Sequence, residues 1–208
     1  MLINFHTHHP RPDEHYIQSL GLHPWYLDAA TLENDLWKLR KQLTLHSYQM
    51  IGECGLDTAC TTPISLQRQA FVEQLSLSET LQKPVVVHCV RAFNELLLLR
   101  KQQVWSQPWV VHGFIGAPQL VLQLAQAGIH VSFGDALLDE RHSKVIESLR
   151  SLWLRHLPFF LETDESASSI NDIYRQAAAI LTLPQPLLET TIETSLATLL
   201  SPKSAIIV

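Results

Sequence analysis

Short apolar segments alternate with longer helical patterns along almost the whole chain, and this alternation restricts the possible fold more than any other feature. A β-branched run at residues 84–87, for example, precedes a segment with helical spacing of apolar residues at 93–103. Strands that alternate with helices form right-handed βαβ units around a parallel sheet. We count about seven strands, which predicts an α/β fold. The fold would be either a TIM-like (β/α) barrel with one unit fewer than the usual eight or an open doubly wound sheet.

The individual elements are predicted from hydrophobic period and from helix start and stop signals. The predicted strands are residues 2–5, 16–22, 48–52, 84–87, 109–111, 129–133 and 159–161. The predicted helices are residues 31–46, 64–82, 93–103, 118–127, 138–149 and two within 170–200.

The composition is that of a single compact domain, which we expect to span residues 1–208. The net charge is −5 and the basic residues are scattered, so a broad positive surface for duplex DNA is not expected. The N-terminal segment lacks the pattern of a signal peptide, and no apolar run is long enough to span a bilayer. Three cysteines without CxxC spacing argue against a disulfide framework. We therefore expect a cytoplasmic protein without membrane association, and no protein partner is predicted.

Six potential metal ligands directly follow predicted strands, and none is predicted to lie in the middle of one. They are His6, His8, Glu53, His88, His112 and Asp164. In a parallel barrel all strand C-termini face one rim, where active sites form. His6 and His8 are two residues apart, so on an extended strand both imidazoles point to the same side.

Imidazole and carboxylate ligands together suit zinc, manganese, iron or cobalt better than calcium. Six ligands exceed what one hydrolytic ion needs, whereas two divalent ions bridged by Glu53 would use them all. Such a pair can clamp the attacking water and the leaving oxygen of a displacement. The sequence therefore predicts a hydrolase with two divalent metal ions, which could be zinc, manganese, magnesium or another ion.

Each of these residues also has a simpler explanation when taken alone. A single histidine after a strand is more often a buried structural residue than a ligand, and Asp164 could cap a turn. Six such residues after five strands are hard to explain in this way, which favours the metal site. By contrast, His46, His142 and His156 lie in helical or linking segments and are predicted to be surface residues, and Cys89 is predicted to pack in the core.

Seven motifs in order resemble the TatD-related hydrolases, often called TatD deoxyribonucleases, of the amidohydrolase-like superfamily. They are His6-Thr7-His8, Gly21-Leu22-His23-Pro24, Ile51-Gly52-Glu53-Cys54-Gly55-Leu56-Asp57, Gln67-Arg68-Gln69-Ala70-Phe71, Pro84-Val85-Val86-Val87-His88, Val111-His112-Gly113-Phe114 and Leu161-Glu162-Thr163-Asp164. The segment from Gly52 to Asp57 is the most specific of the set. The resemblance implies a TIM-like barrel of the metal-dependent hydrolase type.

The resemblance also implies a role for each site residue. One ion would be held by His6, His8, Glu53 and Asp164, and the other by Glu53, His88 and His112. Asp164 and Glu53 would be the catalytic residues, with Asp164 orienting or deprotonating the attacking water. His23 and Arg91 would contact the substrate.

The chain departs from the family pattern mainly in the substrate-binding parts. The segment at residues 10–19 is too short for the βα unit that the family has there, which agrees with the count of about seven strands. The family's arginine two places after His88 is Val90 here, with Arg91 one place later. After Asp164 the family's arginine- and asparagine-bearing segment is absent. The predicted ligands are thus complete, while the substrate contacts differ.

The leading functional hypothesis is a deoxyribonuclease-like hydrolase of phosphodiester bonds that acts on small phosphodiesters or DNA ends. One alternative is an amide or ester hydrolase of a small metabolite on the same metal centre. Another is a non-catalytic, metal-binding relative.

Overall fold

The structure is a computed structural model that describes residues 1–201. Its strands are β1 (Leu2–Asn4), β2 (Glu14–Tyr16), β3 (Ser19–Leu20), β4 (Met50–Asp57), β5 (Val85–Val90), β6 (Trp109–Val111), β7 (Ile129–Phe133) and β8 (Phe160–Leu161). Its helices are α1 (Leu32–Leu45), α2 (Ile64–Leu81), α3 (Phe93–Gln102), α4 (Pro118–Gln126), α5 (Ser143–Trp153), α6 (Ile170–Leu181) and α7 (Gln185–Leu200), with 3₁₀ helices at Pro24–Tyr26 and Asp135–Leu138. None of the helices within residues 1–201 is long and apolar enough to cross a bilayer.

The chain divides into two compact units, which we describe separately. Unit 1 contains Met1–Ile17 and Val111–Leu199, and unit 2 is built on Gln18–Val110. The prediction of a single domain stays a prediction.

Unit 2 contains a parallel sheet in which β3 pairs with β4 and β4 pairs with β5. β6 follows β5 in the strand order, and Val85 N donates a hydrogen bond to the Pro108 carbonyl just before β6. Helices α1 and α2 cover this sheet through a buried apolar cluster. The cluster consists of Leu39, Leu43, Ile51 and Leu77.

Two glycines in β4 allow it to lie unusually close to β5. Both have positive φ, +135° at Gly52 and +148° at Gly55. A Cβ on Gly52 would lie 2.3 Å from the Val86 carbonyl oxygen, and one on Gly55 would lie 2.0 Å from that of His88. The register of the two strands also shifts between Ile51 and Cys54, as in a β-bulge. Only glycine fits these positions, and the contact brings β4 directly against His88.

Unit 1 contains the parallel pairs β1–β2 and β7–β8. The backbone after β1 continues alongside the end of β8, because Phe5 N donates to the Leu161 carbonyl at 2.9 Å and Thr7 forms a parallel bridge with Asp164. The Phe5 ring stacks on Phe160 with 4.6 Å between centroids. This arrangement aligns the first and last motifs of the sequence side by side.

Much of the predicted pattern is confirmed. β6 and β7 occupy their predicted residues, and four helices begin where predicted, at residues 64, 93, 118 and 170. The prediction places the break between the last two helices near Pro184 and Pro186, and it falls at residues 182–184, while Pro186 lies in the first turn of α7.

Two predicted elements are corrected, and one connection between strands is unusual. The strand predicted at 16–22 is two short strands, β2 and β3, so the described part of the chain has eight strands rather than seven. β1 and β2 are parallel although the connection at residues 5–13 contains no helix, because each strand is only three residues long. The helix predicted at 138–149 is α5, which starts later at Ser143, after a turn in which the Asp139 carboxylate accepts the Arg141 backbone N–H.

Candidate metal centre

Three of the predicted ligands come together in unit 1. The Nε2 atoms of His6 and His8 lie 3.7 Å and 3.5 Å from Oδ1 of Asp164. Each residue offers one ligand atom, and these atoms lie within 4.8 Å of one another. We call His6, His8 and Asp164 the unit 1 cluster. Two residues of this cluster follow β1 and the third follows β8, so the pairing of those two segments assembles it.

Asp164 is held in an uncommon backbone conformation, with φ of 49°. Its N–H donates to the His6 carbonyl at 3.0 Å, and its carbonyl accepts from the His8 N–H at 3.1 Å. Non-glycine residues with positive φ are uncommon, so the surrounding hydrogen bonds must stabilise it. The backbone thereby fixes the position from which the Asp164 side chain extends toward His6 and His8.

His112 follows β6 and lies beside this cluster, with its ring centroid 4.7 Å from that of His6. Its Nδ1 is 3.6 Å from Oε1 of the buried Glu162. The Glu162 carboxylate also accepts hydrogen bonds from the Gly113 N–H, at 2.5 Å, and from the Ser132 hydroxyl. A carboxylate at Nδ1 orients the imidazole and directs Nε2 outward, as outer carboxylates do for metal-binding histidines.

Glu162 is ionised in this setting. Burial alone would raise the pKa of Glu162, but the hydrogen bond and charge of His112, the charge of His6 and the Ser132 hydroxyl together lower it. No role for Glu162 is predicted from the sequence, although its position two residues before Asp164 at a strand end was a usable signal.

A second cluster lies within unit 2 and consists of His23, Glu53 and His88, which again offer ligand atoms within 4.8 Å of one another. Oε2 of Glu53 is 3.6 Å from Nδ1 of His88 and 3.7 Å from Nε2 of His23. We call this the unit 2 cluster. Glu53 and His88 share one face because His88 lies opposite Gly55, two residues from Glu53, in the parallel register.

Asp57 completes the surroundings of His88. Its Oδ2 is 3.2 Å from Nε2 of His88 and accepts the indole N–H of Trp25 at 2.6 Å, while Oδ1 accepts the Ala59 N–H at 2.7 Å. Burial would raise the pKa of Asp57, but the hydrogen bonds from Trp25, Ala59 and His88 lower it. An ionised Asp57 accepts a hydrogen bond from the Nε2–H of His88, which leaves Nδ1 as the nitrogen available to a metal on the side of Glu53.

His23 is oriented differently. Its Nδ1 accepts the backbone N–H of Trp25 at 3.2 Å, so a neutral His23 carries its proton on Nε2, the atom that faces Glu53. A protonated nitrogen cannot bind a metal. This tautomer favours contact with an anionic group over metal ligation, although His23 lies within the unit 2 cluster.

The prediction that all six ligands follow strand ends is wrong for two of them. Glu53 lies in the middle of β4, and His88 lies within β5. Both strands extend beyond these residues because the glycines of β4 allow the two backbones to stay paired as far as Asp57 and Val90.

The remaining predicted residues are placed as follows. Arg91 is exposed just after β5 and has a left-handed backbone, with φ of 53°. Cys89 is buried, and burial raises its pKa to about 12, so it is a packing residue rather than a thiolate ligand. His46, His142 and His156 are exposed, as predicted.

The donor chemistry of both clusters fits a divalent ion. Each combines imidazole nitrogen with carboxylate oxygen, a set that zinc, manganese, iron and cobalt accept. The outer carboxylates Glu162 and Asp57 orient histidines in the way that metal sites require.

Related sequences match most of this chain. The profile of the family described as "TatD related DNase" matches residues 10–170. An "Uncharacterized metal-dependent hydrolase YjjV" of Escherichia coli K12 is 30% identical over 162 residues, covering 76% of this chain and 61% of that protein. A "3'-5' ssDNA/RNA exonuclease TatD" of Musicola paradisiaca is 32% identical over 155 residues, covering 69% of this chain and 54% of that protein. The chain thus spans between half and two thirds of the length of these relatives.

Solved structures show the same fold. The crystal structure of the YjjV TatD homologue from Escherichia coli superposes with a TM-score of 0.73 at 22% identity, covering 89% of this chain and 76% of that one. A TatD family hydrolase from Entamoeba histolytica gives a TM-score of 0.72 at 16% identity, covering 90% and 75%. The predicted α/β fold of the metal-dependent hydrolase type is therefore confirmed, and the chain belongs to the TatD related DNase family.

Proposed function

We propose that this protein is a metal-dependent hydrolase that cleaves phosphodiester bonds, acting on short nucleic acids or on their ends. The observation that carries the proposal is the pair of histidine–carboxylate clusters, each supported by an ionised outer carboxylate. Relatives named as exonucleases of single-stranded DNA and RNA, and a human relative named as a 3'-5' RNA nuclease, support the choice of substrate.

We assign two divalent ions to the protein, with the ligands that the family resemblance implies. One would use His6, His8 and Asp164 of the unit 1 cluster, the other would use His88 and His112, and Glu53 would bind both. The tautomer derived for His88 supports its assignment, because Nδ1 is the nitrogen left to bind a metal. When bound, such ions make hydroxide available near neutral pH and stabilise the leaving oxygen.

Asp164 is assigned as the base that accepts a proton from the attacking water. Its Oδ1 faces both histidines of the unit 1 cluster, and its side chain remains 37% exposed, so water can reach the carboxylate. Such proton transfer typically contributes about 10²- to 10⁴-fold to a rate. His23 is assigned to the substrate, because the proton on Nε2 can be donated to a phosphate oxygen.

The choice of short or terminal substrates follows from charge. The chain has 15 Lys and Arg against 20 Asp and Glu, and a protein that tracks a long duplex needs many phosphate contacts. A metal centre that binds one phosphate locally does not need such a surface.

The proposal is tested by metal analysis and kinetics together. Protein reconstituted with zinc or manganese should hold close to two ions per chain, and it should cleave a short DNA oligonucleotide and a chromogenic phosphodiester. Asp164→Asn should keep most of the metal and lose about 10²- to 10⁴-fold of the rate. The control is Asp13→Asn, which makes the same change at an exposed position.

Each outcome is informative. Equal rates for Asp164→Asn and wild type would remove Asp164 from the mechanism. A loaded wild-type enzyme that cleaves neither substrate would refute the phosphodiesterase, and a panel of amides and esters would then separate another hydrolase from a protein that only binds metal.

A further inference from the structure

Two large aromatic side chains are exposed beside the unit 2 cluster. Trp25 and Tyr26 form the end of the 3₁₀ helix that follows His23, and they are 51% and 79% exposed. Their ring centroids lie 4.8 Å and 5.7 Å from that of His23. Aromatic surface of this size is normally buried, so its exposure next to candidate ligands requires an explanation.

The exposed Trp25 is held firmly in place. Its indole N–H donates to Asp57 at 2.6 Å, and its ring lies 5.6 Å from that of His88. Asp57 is in turn fixed by α2, because the buried Gln67 side chain accepts the Asp57 N–H at 2.7 Å and donates to the Asp57 carbonyl at 2.9 Å. A ring oriented in advance loses little conformational freedom when a ligand packs on it.

Exposure alone does not distinguish these residues. Trp37 on α1 is 59% exposed, but its ring lies under Lys41, whose Nζ is 5.3 Å from the centroid. By contrast, Trp25 contacts both His23 and His88, and Tyr26 contacts His23. A group stacked on them would lie within one nucleotide of the unit 2 cluster.

We propose that Trp25 and Tyr26, whose rings lie at 74° to each other with centroids 6.4 Å apart, form a stacking platform in which a base of single-stranded nucleic acid stacks on Tyr26 and contacts Trp25 edge to face, which places the adjacent phosphodiester at the unit 2 cluster. This inference rests on the proposed hydrolase function and names the side chains that would hold its substrate. Aromatic side chains bind bases of any sequence through stacking, and the bases must be unstacked to reach them. Stacking also supplies the affinity that a chain with few basic residues does not obtain from phosphate contacts.

The test compares two oligonucleotides that differ only in the terminal base. One is a short fluorescent oligo-dT, and the other carries an abasic residue at its 3' end. Binding is measured by fluorescence anisotropy in EDTA, where no cleavage occurs, and kcat/KM is measured separately with manganese. The variants are Tyr26→Ala and Tyr26→Phe, with Trp37→Ala as the control for loss of an exposed aromatic ring.

Wild type should prefer the intact oligonucleotide in both assays. Tyr26→Ala should reduce this preference by about 5- to 150-fold, the range for one stacked base, while Tyr26→Phe and Trp37→Ala should retain it. Trp25→Phe should keep part of the preference, because the ring remains while its bond to Asp57 is lost. The comparison with the abasic oligonucleotide makes the test specific, because a purely structural role for the ring would not depend on the terminal base.

The two proposals fail in different ways. Cleavage without any preference for the intact terminal base would overturn the platform and leave the hydrolase standing. Binding with the preference, but without cleavage, would overturn the phosphodiesterase and leave the platform standing. A preference that Trp37→Ala abolishes, or that Tyr26→Ala leaves unchanged, would also overturn the platform.

Discussion

Replacement of Gly55 by alanine places a methyl group at the closest backbone contact between β4 and β5. The new Cβ would lie 2.0 Å from the His88 carbonyl oxygen, 3.0 Å from its carbon and 3.1 Å from its nitrogen. Those atoms belong to the backbone of a candidate ligand in the next strand, so no side-chain rotation can relieve the clash. β5 must move away from β4 at His88.

The cost has two parts. A residue other than glycine at φ of +148° occupies a sparsely populated conformation, which costs about 1–3 kcal/mol. Overpacking a buried site costs about 1–3 kcal/mol more. The free energy of unfolding should therefore fall by about 2–6 kcal/mol, against a typical total of about 5–15 kcal/mol. For a domain of this size each kcal/mol lowers Tm by about 2–4 °C, so the expected fall is about 4–24 °C.

The assay is thermal unfolding of the metal-free protein, followed by far-UV circular dichroism, with metal content measured after reconstitution. The matched control is Gly134→Ala, because a Cβ there would lie 3.5 Å from its nearest neighbour, the Glu162 carbonyl oxygen, at ordinary contact distance. The control should stay within about 0.5 kcal/mol of wild type. A Gly55→Ala protein with the Tm and metal content of wild type would show that the close approach of β4 and β5 is not a requirement of the fold.

Two further substitutions address the ligands and their supports. Glu53→Ala should lower the measured content of both metal ions because Glu53 is assigned to both, whereas His88→Ala should mainly lower the content of one. A Glu53→Ala protein that still binds two ions tightly would exclude the bridging role. Gln67→Leu should lower the free energy of unfolding by about 1–3 kcal/mol in urea titrations, since it leaves the buried N–H of Asp57 without its partner, while the Asp57 carbonyl still accepts from the Cys60 thiol. The exposed Gln69→Leu on the same helix is its control, and equal midpoints for the two variants would contradict the assigned contact.

The sequence by itself determined the features that depend on local pattern. Apolar periodicity located β6, β7 and the starts of four helices, because burial of one face imposes a period on neighbouring residues. The same local view singled out His6, His8 and Asp164, since polar ligands directly after buried strands stand out from their surroundings. It also explains why the surface histidines could be separated from the candidate ligands.

Tertiary structure alone decided how far the strands extend and which residues support the ligands. β4 continues through Glu53 because of a contact between Gly55 and His88, which are far apart in sequence. The spacing from Asp164 marks Glu162 in the sequence, but the supporting roles of Glu162 and Asp57 depend on partners such as His112 and Trp25 that only folding brings within reach. The pattern of neighbouring residues indicates which side chains are buried. Hydrogen bonds between segments that are distant in sequence depend instead on how the strands pack against one another.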